Sequence, residues 1–211
     1  MTFSIPSSSK PYKMSFTTGG LYYREAVKLT ELYAELGSWP AVSQAVRSEN
    51  LLQARTQSSL NRTAIELLQR LQTLTTAELE VLRAGSRSEQ QHILWLAVCK
   101  QYRFVREFAL EVLREKYLRI DYVLAYPDYD AFFYNKAEWS PELESTTRAT
   151  REKTRQVLFR ILAEAQLISS QKEILPQVLS AAVVRAVVAD DPIFLFCFPL
   201  SDFDIQRYKA S

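Results

Sequence analysis

An all-α fold is what this chain predicts, and three observations carry the prediction. Apolar side chains recur at helical spacing along most of its 211 residues, Gly occurs only 4 times, and the boundaries between periodic stretches carry helix caps. So few glycines leave little material for the tight turns and left-handed corners of a many-stranded fold. With 47% hydrophobic residues the chain also has enough apolar surface for a sizeable core.

The elements follow in order. Met1 to Lys13 are polar, rich in Ser and Pro, and lack the apolar run of a secretory signal, so residues 1–18 read as a disordered leader. Met14 is a second candidate start, so Met1 to Lys13 read either as an upstream extension or as residues foreign to the natural protein. Tyr22, Ala26, Leu29, Tyr33 and Leu36 then form one stripe of an amphipathic helix over 21–36, and Gly37 stops it. Ser38-Trp39-Pro40 restarts the chain into a short helix, Ala41 to Arg47. The third helix, Ala54 to Leu74, directs Leu60, Ala64, Leu67, Leu68 and Leu71 to the core, with Arg55, Ser59, Arg62, Glu66 and Gln69 down the other side. Thr75 and Glu78 make a capping box for a helix ending at Gly85, and Ser86 and Ser88 cap the next. Helices over Glu89–Tyr102 and Phe104–Arg119 are the most apolar and should be central.

The aromatic stretch Asp121 to Trp139, interrupted by Pro127, reads as a loop and short helix between two lobes. Ser140-Pro141-Glu142 starts the longest helix, to Ala165, because a cap, a first-turn Pro and an acid at the positive end of the dipole coincide. A polar turn at Ser169 to Glu173 and an extended piece at Ile174 to Leu179 lead to Ser180, which caps Ala181 to Ala189. Asp191-Pro192 repeats that signature before Ile193 to Phe198, which suits a helix or a buried strand. The result is two small helical lobes: a helix-turn-helix-like bundle at 19–120, an aromatic linker at 121–140 and a winged-helix-like bundle at 141–211.

Few chemistries fit these residues. A single histidine, His92, excludes a His-based metal cluster, and Gly19-Gly20, Gly37 and Gly85 match no phosphate-loop or dinucleotide spacing. The acid pairs Asp128/Asp130, Asp190/Asp191 and Asp202/Asp204 sit at turns and caps, where Asp is commonplace. We therefore expect no catalytic residue, metal, cofactor or small-molecule substrate. Cys99 and Cys197 lie in apolar runs and read as reduced core thiols of a cytoplasmic protein. Ile93 to Cys99 and Ile193 to Leu200 fall short of the roughly 20 residues that span a bilayer, so no membrane partner is expected.

A net charge of +2 announces no partner, so a binding face has to come from local clustering. Two clusters suit nucleic acid. The polar start of the third helix carries Arg55, Thr56, Gln57, Ser58, Ser59, Asn61 and Arg62, side chains that reach phosphates and base edges. An ordinary solvated face is the alternative. Between Thr147 and Arg160, Arg148, Arg151, Lys153, Arg155 and Arg160 meet only Glu152 as an acid. Arg148, Arg151 and Arg155 at i, i+3 and i+7 line one helix face, as planar guanidinium forks suited to phosphate oxygens.

Four further segments recur in a telling order: Thr17-Thr18-Gly19-Gly20 before a helix, Arg55-Thr56-x-Ser58-Ser59 opening one, the helix end Val157-Leu158-Phe159-Arg160-Ile161-Leu162-Ala163-Glu164-Ala165, and Leu179-Ser180 followed by Asp190-Asp191-Pro192. From Met14 onward the chain resembles the BrxA family of bacteriophage exclusion (BREX) systems. It departs at Gln166, where a helix-ending Gly is expected, and at Gln53 and Gln57, which dilute the third-helix start. The resemblance implies a non-catalytic accessory protein of a bacterial antiphage system that methylates host DNA, acting beside a methyltransferase, an ATPase and an alkaline-phosphatase-like component. Its implied partners are double-stranded DNA and other BREX components. A link of the family to the fold of the antitermination factor NusB keeps RNA binding open, and docking through Tyr122 to Trp139 is the reading as a protein-interaction adaptor.

Overall fold

Side-chain caps at Thr56, Thr75, Ser86, Thr147, Ser180 and Ser201 start helices in the structure, a computed structural model that describes residues 11–17 and 19–210. The chain runs through α1 (Tyr23–Leu36), α2 (Trp39–Ser48), α3 (Gln57–Leu71), α4 (Thr76–Ala84) and α5 (Arg87–Gln101). Next come α6 (Arg103–Phe108), a π-helical turn (Ala109–Arg114), α7 (Glu115–Leu118), α8 (Tyr126–Ala137) and α9 (Pro141–Glu144). The last elements are α10 (Arg148–Glu164), α11 (Ala181–Asp190), a 3-10 helix (Pro192–Cys197) and α12 (Asp202–Lys209). Among the described residues no strand forms, so the all-α expectation holds.

Thr75 and Ser86 each close a reciprocal capping box, with Glu78 and Glu89, and Ser180 accepts the Val183 amide. Gly37 ends α1 in the left-handed conformation that a side chain resists.

The expected central role falls to α5. Every residue from Gln90 to Cys99 is buried, because α1, α3, α4, α10, α11 and the 3-10 helix surround it. A stretch with no solvent face has no amphipathic stripe to read, and its position follows from apolar content alone. Trp95 donates its indole N–H to the Cys197 carbonyl at 2.9 Å, fixing the 3-10 helix to α5. That run is helical and not a strand.

The aromatic stretch is a loop followed by a helix, as expected, and differs in the part that Pro127 plays. It contains a 12-residue helix, α8, whose Tyr129, Phe132 and Phe133 are buried against Phe104 and Phe108. Pro127 begins this helix and does not break it, since its missing N–H falls in the first turn, where no intrahelical acceptor is lost. The helix expected from Ser140 also divides. Ser140 makes no side-chain cap, α9 lasts one turn, and Thr147 caps α10 by accepting the Thr150 amide. At 167–175 the chain folds back on itself with Ile168 opposite Ile174, and Val123 bridges to Glu173, but these remain isolated pairings.

Of the leader, Met1 to Lys10 and Thr18 lie outside the described residues. The rest is packed: Phe16 is fully buried against Tyr102 and Phe104, and the Tyr12 hydroxyl donates to Glu107 at 2.5 Å.

Candidate nucleic-acid interface

The first predicted cluster is gathered at the start of α3. Thr56 is extended, and its hydroxyl accepts the Ser59 amide at 3.1 Å. Thr56, Ser58, Ser59 and Arg62 line one concavity of roughly 330 Å³, with Gly19 and Tyr22 as its far wall. Arg55, one residue before the cap, is exposed beside it. Free amides of the first turn and the dipole of a 15-residue helix add positive potential there. The connection from α2 runs from Glu49 to Thr56, longer than the usual helix-turn-helix turn, and is knitted by Asn50, whose amide group exchanges two 3.0 Å bonds with the Ala54 backbone.

The second cluster is distributed differently from a row of solvent-facing arginines. Arg148 is 83% exposed and pairs with Glu152 at 2.8 Å, which raises its pKa further above the ordinary value. Arg151 and Arg155, only 19% and 17% exposed, turn onto α8. There Arg155 pairs with Asp130 and lies over the Tyr126 ring, while Arg151 lies over Tyr134 with its centre 4.7 Å from the ring. The i, i+3, i+7 spacing does put the three on one face; the face packs along α8.

A third feature has no counterpart in the clusters read from sequence. Gly19 to Tyr22 form a strap between α3 and α10. Arg70 of α3 donates to the Gly20 carbonyl at 2.8 Å, Arg160 of α10 to the Gly19 carbonyl at 3.2 Å, and the Leu21 amide donates to Glu164 at 2.5 Å. Gly19 has φ of +77°, and a Cβ on it would overlap the Tyr22 ring; one on Gly20 would fall 2.3 Å from the Glu164 carboxylate. The left-handed backbone favours glycine at position 19, and a side chain at position 20 would have to displace the Glu164 carboxylate from the Leu21 amide. Beneath the strap Arg70 is held by Glu66 at 2.6 Å, and Glu66 accepts from the Tyr102 hydroxyl at 2.5 Å. Burial, then the Glu66 charge, pushes the Tyr102 hydroxyl pKa up.

Gly19 and Tyr22 also wall a second concavity, of roughly 450 Å³, whose lining includes Arg24, Arg87 and Arg160. Among the described residues Arg24, Arg62, Arg87 and Arg160 have no carboxylate partner within ion-pair distance. Sequence reading names Arg62 and counts Arg160 in the basic run after Thr147, but passes over Arg24 and Arg87, because Arg24, Arg87 and Arg160 sit on three separate helices. The Gly19-Gly20 pair, which tolerates close backbone approach, was the available signal.

Cys99 and Cys197 are buried free thiols, and burial holds the Cys99 thiol well above its ordinary range. Among the described residues no group of His, Cys, Asp and Glu is arranged to hold a metal ion, and no helix is long and apolar enough to cross a membrane.

Fold and site together define an all-helical protein whose candidate interface is a set of exposed, unpaired arginines around a glycine strap. Residues 10–191 match the sequence profile of the BrxA family. A BREX protein BrxA from Bacillus cereus (strain H3081.97) is 29% identical over 161 residues, which covers 76% of this chain and 80% of that protein. Its counterpart from Escherichia coli O9:H4 (strain HS) is 24% identical over 170 residues, covering 81% of this chain and 80% of its own. The crystal structure of an uncharacterized protein from Magnetospirillum magneticum superposes with a TM-score of 0.76 over 90% of this chain and 98% of its own, at 19% identity, and shows the same fold. The chain belongs to the BrxA family.

Proposed function

We propose that this protein is a non-catalytic, cytoplasmic accessory of BREX antiphage defence that binds the backbone of double-stranded DNA. The observation that carries the reading is the α3 concavity, where Thr56, Ser58 and Ser59 hydroxyls, first-turn amides and the unpaired Arg62 meet beside exposed Arg55. Hydroxyls, helix N-termini and arginines are the groups that contact phosphate and fix register without reading sequence. Arg148, Arg151 and Arg155 are the second proposed contact. Phosphate competes there with Glu152 and Asp130, so Arg148, the most exposed, contributes most.

Gel shifts with duplex DNA test this over a salt series. Contact with about 4 to 6 phosphates gives a slope of log affinity against log salt of roughly −4 to −5. The double substitution Arg55→Glu with Arg62→Glu flattens the slope and weakens binding alike for unrelated duplexes. Absence of any shift at low salt overturns the reading, and a stronger response to RNA in a parallel titration reassigns it.

One observation favours docking to another BREX component as a second reading: Trp139 is 85% exposed beside α9, and Tyr134 is exposed on α8. Loss of co-purification with the other components in Trp139→Ala, with duplex binding retained, is its signature.

A further inference from the structure

The strap separates two concavities of different character. The α3 concavity is lined by hydroxyls and opens onto a helix N-terminus. Both concavities fall within the size range of about 300–1,000 Å³ typical of small-ligand sites, and the second, at roughly 450 Å³, is the larger and carries more arginines. A duplex is far too wide to enter a space of that volume, whereas one nucleotide fits it. Three arginines from three helices line it: Arg24 of α1, Arg87 in the first turn of α5, and Arg160 of α10. Arg87 is steadied with its guanidinium 5.4 Å from the centre of the Tyr23 ring, and Arg160 by the Gly19 carbonyl, so both are held in place without being neutralised.

Two acids share the walls. Glu164 is occupied by the Leu21 amide, and Glu25 lies in the first turn of α1. They make the site a poor host for a bare anion, and a better one for a ligand that brings donors together with its negative charge. Gln91 and Gln166 complete this mixed lining. Gln91 already donates to the Glu164 carbonyl at 2.6 Å, which leaves its side-chain oxygen to accept. A nucleoside phosphate has that make-up: a phosphate for the arginines, and amino and hydroxyl donors for the acids and amides.

We propose that this cavity is a binding site for one nucleoside phosphate, its phosphate held by Arg24, Arg87 and Arg160. The ligand is either a free nucleotide or the phosphorylated terminal residue of a DNA strand, which present the same chemistry. This site is separate from the duplex contacts proposed at α3.

Calorimetric titration of the full chain tests it with deoxyadenosine 5′-monophosphate, deoxyadenosine, inorganic phosphate, and a single-stranded oligonucleotide with and without a 5′-phosphate. The nucleotide, the 5′-phosphorylated strand, or both bind saturably at one site, and the arm that binds identifies the source. Deoxyadenosine and inorganic phosphate each bind at least about tenfold more weakly, a difference of about 1.4 kcal/mol. Arg24→Ala with Arg87→Ala, neither of which bonds to the strap, lowers the affinity at least about tenfold with the helical circular-dichroism signal unchanged. Three results overturn the proposal: no saturable binding by either source, inorganic phosphate equal to the nucleotide, or parental affinity in the double variant. Arg55→Glu with Arg62→Glu leaves nucleotide binding intact, so failure of the duplex reading and failure of this one are told apart.

Discussion

His92 is the chain's single histidine, and its surroundings decide how it titrates. Its ring is buried, edge-on to Phe198, with Nε2 3.0 Å from the Gln177 side-chain oxygen and Nδ1 without a partner. Burial lowers its pKa below the ordinary 6.5, against smaller opposing effects from Gln177 and Glu89. The folded state therefore binds this proton less readily than the unfolded one. The resulting stability is fully present above about pH 6.5 and is lost as pH falls through the depressed folded value. Thermal unfolding from pH 7.5 to 5 should show the melting temperature falling below pH 6.5, and His92→Gln should remove that part of the slope. A slope unchanged in His92→Gln would place the titration elsewhere. The same residue-scale reasoning applies to Asp130. A lone acid on a neighbouring helix draws Arg151 and Arg155 inward, a partnership 21 to 25 residues distant in sequence that no local spacing reveals.

At the scale of elements, the end of α10 carries a measurable strain. Gln166 follows the helix with φ of +59°, the left-handed conformation in which glycine is favoured, and its backbone carbonyl still accepts from Gln177. Gln166→Gly should stabilise the protein by about 0.5–1 kcal/mol, since it relieves the Cβ clash while giving back some unfolded-chain entropy. Denaturant unfolding with an unchanged m-value checks this, and a loss of stability would show the side chain packing to matter more than the backbone. The departure from the family pattern at Gln166 was thus legible in sequence, as were the caps at Thr75, Ser86 and Ser180, because each rests on contacts within a few residues. A short helix was expected in the aromatic stretch too, but the packing of α8 was not legible, since it buries Tyr129, Phe132 and Phe133 on Phe104 and Phe108, rings more than twenty positions away. For the site the division is the same. Thr56, Ser58, Ser59 and Arg62 are neighbours on one helix start and were found together, whereas Arg24, Arg87 and Arg160 meet only through tertiary packing.

For the molecule as a whole, one buried cluster extends from Phe16 to Ile205, and α5 lies within it on every side. Such a core ties early and late parts of the chain to each other. The strap is the clearest case, because Leu21 donates to Glu164 across 143 positions and Arg160 reaches Gly19 across 141. On the ribosome these two contacts cannot form until α10 has been synthesised, so while α1 to α9 emerge Gly19 to Tyr22 have only their α3 contact, from Arg70, to hold them. Closing so long a loop is entropically costly and is deferred until other contacts have drawn its ends together. The strap should accordingly be unformed in the folding transition state. Glu164→Gln should speed unfolding while leaving the refolding rate close to the parent's, as stopped-flow chevrons would show. Equal effects on both limbs would place the strap in the nucleus. If it forms last it is also first to open, and nascent or thermally loosened chains offer Gly19-Gly20 to proteases before any helix is lost.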